Sequence, residues 1–287
     1  MWASTYSIVA CDLQSREWGV AVASKFLAIG ALSAWAEPEV GAIATQGWIR
    51  AAYGEEGLEL LRNGYSAQDT VQRLVNADDG RDQRQVGVVD RSGGAASHTG
   101  ARCLAAAHSR LGEGYAAQGN LLATSEAIDA MAETFESTAD RPFPMRLLEC
   151  VDAAQAKGGD RRGQQAASLR VVRQGGGYGE ANVSVDLRVD DHEQPLTELR
   201  RLYDLHGLYF GSTPDEEWLV VDEGLHDELR TALEGLGYAS GDLVEDLETW
   251  AGVENLEERV SGVDRIDPIV LAELKGRAGD LSAIPDR

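Results

Sequence analysis

The order of periodic segments in this 287-residue chain predicts a layered α/β or α+β sandwich followed by a small, mostly helical domain. Three observations carry that expectation. Strand-like segments come in adjacent pairs with helices between the pairs, unlike the strict alternation of a dinucleotide-binding fold. The first two are nearly continuous runs of apolar and small residues, the pattern of strands covered on both faces. After about residue 195 strand patterns give way to helical periodicity.

Thr5 to Ala10 reads as a strand, Asp12 to Glu17 as a turn, and Trp18 to Lys25 as the second arm of a hairpin. A third apolar run, Val40 to Thr45, ends at Gln46-Gly47. Glu55 to Arg62 is helical and stops at Asn63-Gly64, a C-cap signal. Ser66 to Val75 opens with a serine N-cap and an aspartate at the third helical position, close to a capping box. Val86 to Asp90 and Ala95 to Thr99 are strands joined by a glycine turn. Ser125 to Phe135 and Pro144 to Lys157 are amphipathic helices, and Ala166 to Arg173 and Val183 to Val189 are further strands. Leu196 to His206, Gly224 to Leu236 and Pro268 to Arg277 are helical, with Asp222 and Asp267 at N-cap positions and Pro268 at a first helical position. These elements divide the chain into domains at 1–195 and 196–287.

The formal net charge of −22 argues against nucleic acid and against anionic membrane surfaces, because both need clustered cations. Two origins of the acidity stay open: adaptation to high salt, which screens self-repulsion, or an acidic mesophilic protein from a GC-rich genome. Three cysteines, Cys11, Cys103 and Cys150, are an odd and sparse set that fits a reducing compartment. No basic segment leads into an apolar core as in a signal peptide, and no apolar run approaches the roughly 18 residues of a membrane helix. The expected location is therefore the cytoplasm.

The hairpin is the leading chemical candidate. Thr5 opens its first strand and Lys25 closes its second, in a chain with only two other lysines, Lys157 and Lys275. An N-terminal threonine can use its own α-amino group, of ordinary pKa about 7.7–8.0, as general base. A nearby lysine would lower that pKa and stabilise developing negative charge. A structural strand starting with Thr is the plain alternative. Gln46, Gln85, Gln118 and Asn120 are amides bordering strands or glycines, able either to donate to an oxyanion or to serve as turn residues. His98, Thr99, Cys103 and His108 bring imidazole and thiol into a short span without a zinc-ligand spacing, so no metal is expected. If Arg102 onward is helical, Cys103 and His108 point apart. His98 and Thr99 then line a pocket and Cys103 is a small core residue. The loop 158–164 lacks a P-loop pattern, and Asp160 and Arg162 either reach the pocket or pair with each other. The aromatics Tyr203, Tyr209, Phe210, Trp218, Tyr238 and Trp250 read as a glycan-stacking surface or, preferably, as the core of a small domain.

Several blocks in order resemble one family: Thr5 to Ala10, Gly19 to Phe26, Ala44-Thr45-Gln46, Arg84 to Asp90, His98-Thr99-Gly100 with Cys103, Gln118-Gly119-Asn120, and Gly158 to Gln164. It is the domain of unknown function 1028 family of the Ntn-hydrolase superfamily. Leu199 to Tyr203, Tyr209 to Gly211 and Trp250 to Arg259 resemble the peptidoglycan-binding-like extension often attached to it. The resemblance implies an α+β fold, a four-layer αββα sandwich of Ntn-hydrolase type followed by a small mostly helical domain. It also implies hydrolysis of an amide bond by the N-terminal residue. Family members place the threonine directly after the initiator methionine, whereas Met1-Trp2-Ala3-Ser4 precede Thr5 here. Trp2 is bulky, and methionine removal needs a small second residue. Either the start lies further on, or the chain processes itself, or Thr5 is not a nucleophile.

The expected function is hydrolysis of a small linear or cyclic amide, with Thr5 as nucleophile and Lys25 tuning its amine. Ser24, Gln46, His98, Thr99, Gln118, Asn120 and Asp160 would position substrate or oxyanion. No cofactor is expected. The expected partner is a small-molecule amide substrate, and a homo-oligomer assembled through the helical tail stays open. The rival is a non-catalytic small-molecule or glycan binding protein using the same pocket.

Overall fold

The structure, a computed structural model, describes residues 2, 3 and 5–282. The chain divides into two compact units, residues 1–203 and 204–287. The first unit contains β1 (Trp2–Ala3), β2 (Thr5–Asp12), β3 (Glu17–Ser24), α1 (Ile29–Ser33), β4 (Ala34–Glu37), β5 (Gly41–Trp48), α2 (Ala52–Arg62) and α3 (Ala67–Asn76). It continues through β6 (Arg84–Asp90), β7 (Ala95–Thr99), β8 (His108–Gly112), β9 (Tyr115–Asn120), α4 (Glu126–Ser137), α5 (Phe143–Ala156), β10 (Ala166–Val172) and β11 (Val183–Val189). α6 (Pro195–Phe210) spans the boundary. Its first half contributes Leu196 and Leu199 to the first unit's core, so that unit runs past the expected boundary at residue 195.

Both large sheets are antiparallel, giving a mixed α/β unit. One is six-stranded in the order β11-β10-β3-β2-β9-β8; the other is β1-β5-β6-β7, with β4 also pairing with β5. β2 and β3 are buried along almost their whole length because both of their faces are covered. On one face Tyr6, Ile8 and Ala21 pack against Met131 of α4 and Leu147 of α5. On the other Val9, Trp18 and Val20 meet Ala42, Ala44 and Val89 of the five-stranded sheet. That second sheet turns Ile43, Val86 and Val88 outward onto Leu61 of α2 and Leu74 of α3.

Local signals behave as their chemistry requires. Ser66 Oγ accepts from Asp69 N at 3.1 Å and opens α3, and Gly64 follows α2 in the left-handed region with φ of 88°. The segment after Arg102 is not helical. Residues 101–107 turn, and β8 then pairs with β9, so Cys103 and His108 are not on one helix. Ala116, Ala117 and Gly119 leave β9 without the β-branched signature of a strand, and β8 is similarly polar, which hides both from periodicity.

The second unit is helical and centres on an ion pair. It contains β12 (Leu219–Val220), α7 (Glu223–Gly235), α8 (Leu243–Glu254), β13 (Arg265–Ile266) and α9 (Pro268–Ser282). Asp222 accepts from Leu225 N at 2.9 Å and Asp267 from Ile269 N at 2.8 Å, so both occupy the expected N-caps. Trp250 is buried in this unit's apolar cluster, with Tyr209 and Tyr238 packed against it; Phe210 is exposed. Arg259, with its side chain 3% exposed, donates to Asp267 Oδ2 at 2.7 Å, Thr213 Oγ1 at 3.1 Å, Gly207 O at 2.7 Å and Leu208 O at 2.6 Å. One guanidinium thus satisfies the last carbonyls of α6 and neutralises the carboxylate that caps α9. Among the described residues, no helix is long and apolar enough to cross a membrane.

Arg259→Leu leaves the fully buried Asp267 without its cation, a change that costs about 3–5 kcal/mol. Hydrogen–deuterium exchange on the full chain should accelerate within residues 204–282. Arg277→Leu removes an exposed partner of Glu254 and should change stability by less than about 1 kcal/mol in urea denaturation.

Candidate active site

Thr5 is the first residue of β2, at the centre of the six-stranded sheet. In register it sits between Ser24 on β3 and Asn120 on β9. Strand alternation sends Tyr6 and Ile8 toward the helices, and Thr5, Ser7 and Val9 toward the facing sheet. The Thr5 hydroxyl donates to Ser24 Oγ at 3.3 Å, and both side chains are buried. Met1 and Ser4 of the preceding segment lie outside the described residues. Trp2 and Ala3 pair with Trp48 and Gly47 at the edge of β5.

The inner faces of the two sheets meet around Thr5 in a closed amide network. Gln46 Nε2, from β5, donates to Thr5 O at 3.3 Å, to Gln118 O at 3.3 Å and to Gln85 Oε1 at 2.8 Å. Ser7 Oγ donates to Gln46 Oε1 at 2.7 Å and accepts from Gln118 Nε2 at 2.7 Å. Asn120 Nδ2 donates to Gln85 Oε1 at 3.1 Å. Gln85 Nε2 in turn donates to Thr99 Oγ1 at 3.0 Å, Gly119 O at 2.9 Å and His108 O at 3.2 Å. Gln46, Gln85, Gln118, Asn120, Ser7 and Thr5 are all fully buried, and Gln118 Oε1 has no hydrogen-bond partner among the described residues. Four strands from two sheets are therefore tied to one another, and through them to the Thr5 carbonyl, by neutral groups.

The loop after α5 closes the end of the sheet at which Thr5 lies. Asp160 Oδ2 accepts from Lys25 N at 2.8 Å, and Asp160 also forms a β-bridge with Leu122. Lys25 follows Ser24 and Leu122 lies two residues past Asn120, so this loop spans the ends of both strands flanking β2. Its carboxylate is nearly buried and is neutralised by Arg162, whose Nη2 donates at 2.9 Å and whose backbone N donates at 2.9 Å. Below it, Tyr6 donates to Gln155 Oε1 at 2.7 Å; burial, helped by the nearby Asp160 and Asp152, pushes its phenol far above the ordinary value and keeps it a neutral donor.

The expected residues do not all converge. Thr5, Ser24, Gln46, Thr99, Gln118 and Asn120 share the space between the sheets, with Asp160 at its end. Lys25 does not stand opposite Thr5. The register puts Ser24 there, and the one-residue offset carries Lys25 past the strand end, where its exposed Nζ donates to Gln164 O at 3.1 Å. His98 also departs. On β7 it shares a face with Ala96, which packs under α3, so it points away from Thr99, and its Nε2 lies 3.0 Å from Arg81 O. Cys103 is half-buried, not core: its Sγ donates to Arg84 O at 3.3 Å, and burial raises its pKa although the Gly100 N–H opposes that. Sequence reasoning missed Ser7 and left Gln85 outside the expected binding set. The signal for Ser7 was present: Thr5 and Ser7 are polar two residues apart in an otherwise apolar strand.

Gly87 on β6 makes the close approach of the sheets feasible, because a Cβ there would overlap the Gln118 amide. Gly87→Ala should displace that amide from Ser7 and cost about 1–3 kcal/mol in denaturant unfolding. The same change in a Gln118→Ala background should cost less, since the clashing group is gone; equal costs would place the strain elsewhere.

Comparisons with known proteins bear on this geometry. A crystal structure of a Silicibacter pomeroyi protein described by the family model DUF1028 is 30% identical to this chain, covers 74% of it and 91% of its own length, and superposes with a TM-score of 0.65. Anbu, the ancestral beta-subunit from Yersinia bercovieri, covers 70% of this chain and 93% of its own length. Its 10% identity and TM-score of 0.32 are too distant to support a functional inference. No curated protein matches the chain. Residues 209–274 match the family described as "Putative peptidoglycan binding domain". Residues 5–199, which hold the whole Thr5 site, match the family model described as "Family of unknown function (DUF1028)", and the chain belongs to that family.

Proposed function

We propose that the first unit is an Ntn-hydrolase-like four-layer αββα sandwich that hydrolyses a small linear or cyclic amide with Thr5 as nucleophile. The observation that carries this reading is the position of Thr5: first residue of a central strand, flanked in register by Ser24 and Asn120, with its carbonyl held by Gln46. Helices packed on the outer faces of two mutually packed sheets support the sandwich. Membership of a family whose reaction is unknown leaves the chemistry to the site itself.

In this reading the residues ahead of Thr5 are removed, and its α-amine takes the proton of its own hydroxyl as that oxygen attacks the amide carbon. The proton then passes to the leaving nitrogen, and water releases the acyl group. Asp160 reaches Lys25 N, one residue past Ser24 in the register, so its carboxylate lies on the side of Thr5 from which the amine would emerge. Paired with Arg162, it would orient the amine by accepting a hydrogen bond from it, a role different from the pKa-lowering one expected of Lys25. Asn120 is the amide best placed for the oxyanion, being directly opposite Thr5. The complete burial of Thr5 favours a second reading, a binding protein for a small molecule or glycan on the same fold.

A protein expressed with methionine directly before Thr5 exposes that threonine, because methionine is cleaved ahead of a small residue. Treated with a β-lactone acylating probe and digested, it should carry one adduct on Thr5, and Thr5→Ala should carry none. Hydrolysis of a panel of small amides should rise with pH through an apparent pKa of about 8, the value of an α-amine. A folded, trimmed protein that neither takes the probe nor turns over any amide would overturn the nucleophile reading.

A further inference from the structure

The inner face of the β10–β11 hairpin carries polar groups that the Thr5 site does not use. Ser168 and Arg170 of β10 and Asp186 and Arg188 of β11 share the face that Thr5 and Ser7 occupy on β2. They floor a cavity of about 250 Å³, walled by Gly30 and Ala31 of α1, Ala34, Trp35 and Ala36 of β4, and Leu58 of α2. In the register Val22 stands between Ser7 and Ser168, and it packs with Ile29 and Ala166, so apolar side chains separate this cavity from the Thr5 network.

Two of its polar atoms lack partners. Ser168, 1% exposed, has an Oγ with no hydrogen bond among the described residues, and the same holds for Arg170 Nε. Buried donors in native proteins are almost always matched, so an unmatched pair on alternate residues of one strand calls for an occupant that accepts hydrogen bonds. The charges agree. Arg170 Nη1 already neutralises Asp186 at 2.5 Å, whereas Arg188 Nε makes a long ion pair with Asp190 at 3.8 Å, beyond hydrogen-bond reach. Arg188 therefore brings to the cavity a half-exposed guanidinium that is only loosely paired and makes no hydrogen bond to Asp190, in a chain with 48 acidic and 26 basic residues. The opposite wall is apolar, of alanines and the Trp35 indole. The volume falls below the roughly 300–1,000 Å³ of sites for drug-sized ligands.

We propose that this cavity binds a small monocarboxylate with a compact apolar body, its carboxylate accepting from Arg188 and from the unmatched donors of β10, its body resting on Ala31, Ala34, Ala36 and Trp35. The site does not depend on Thr5 chemistry. Titration calorimetry of the full chain with benzoate, and with benzyl alcohol as the uncharged counterpart, tests it. Benzoate should bind one to one and benzyl alcohol at least about tenfold more weakly, as expected when charge-assisted hydrogen bonds are lost. Arg188→Gln should weaken benzoate by about ten- to a hundredfold. Ala31→Leu, at an exposed position of α1, should block the cavity while leaving the circular dichroism spectrum unchanged. Thr5→Ala should bind benzoate as the parent does. Absence of saturable benzoate binding, equal binding of the two probes, loss of binding in Thr5→Ala, or unchanged binding in both cavity variants would each overturn the proposal.

Discussion

The buried amide network between the two sheets is the constraint on which the first unit depends. A neutral hydrogen bond contributes only about 0.5–1.5 kcal/mol net, but leaving a buried partner unmatched costs about 1–3 kcal/mol. Gln46, Gln85, Gln118, Asn120 and Ser7 hold one another across four strands, so a slip of any strand would unmatch several of them together. The network thus fixes register where apolar contacts alone would tolerate adjustment. It also sets the spacing of the sheets at this end, where Gly87 yields its side-chain volume to Gln118.

From that constraint the geometry around Thr5 follows. Its carbonyl is held by Gln46 and its hydroxyl faces Ser24, so it is placed by neighbours that are themselves immobilised. The Asp160 loop ties a carboxylate to the ends of both flanking strands. The amide hydrolysis proposed for this site would use such positioning by fixed dipoles, which needs no rearrangement. The second unit solves a different problem. With a small core it relies on the Arg259–Asp267 pair to terminate one helix and start another, and the buried charge is tolerated because each guanidinium nitrogen donates a hydrogen bond.

Legibility tracked the local or long-range origin of each feature. The β2–β3 hairpin, the capping serine of α3 and the aspartate caps of α7 and α9 were readable because each rests on neighbours in sequence. β8 and β9 were not: small and polar residues there are stabilised by pairing and by the amide network, neither of which leaves a local trace. Lys25 shows the limit most directly. Its rarity and its place near the hairpin end drew attention, but a single step of register decides which side chain faces Thr5, and that step belongs to Ser24.

By itself the sequence determined the type of the strongly patterned elements and the change of texture near residue 195, because these follow from periodicity, while the family showed as a resemblance of ordered motifs. Tertiary structure alone decided which side chains meet. Gln46, Gln85, Gln118 and Asn120 come from three strands of two sheets, His98 and Thr99 part to opposite faces of one strand, and Ser168 and Arg188 meet over a cavity walled by residues 30–58. Pairing register and sheet-to-sheet packing are set by contacts between residues far apart in the chain, and no local pattern specifies them.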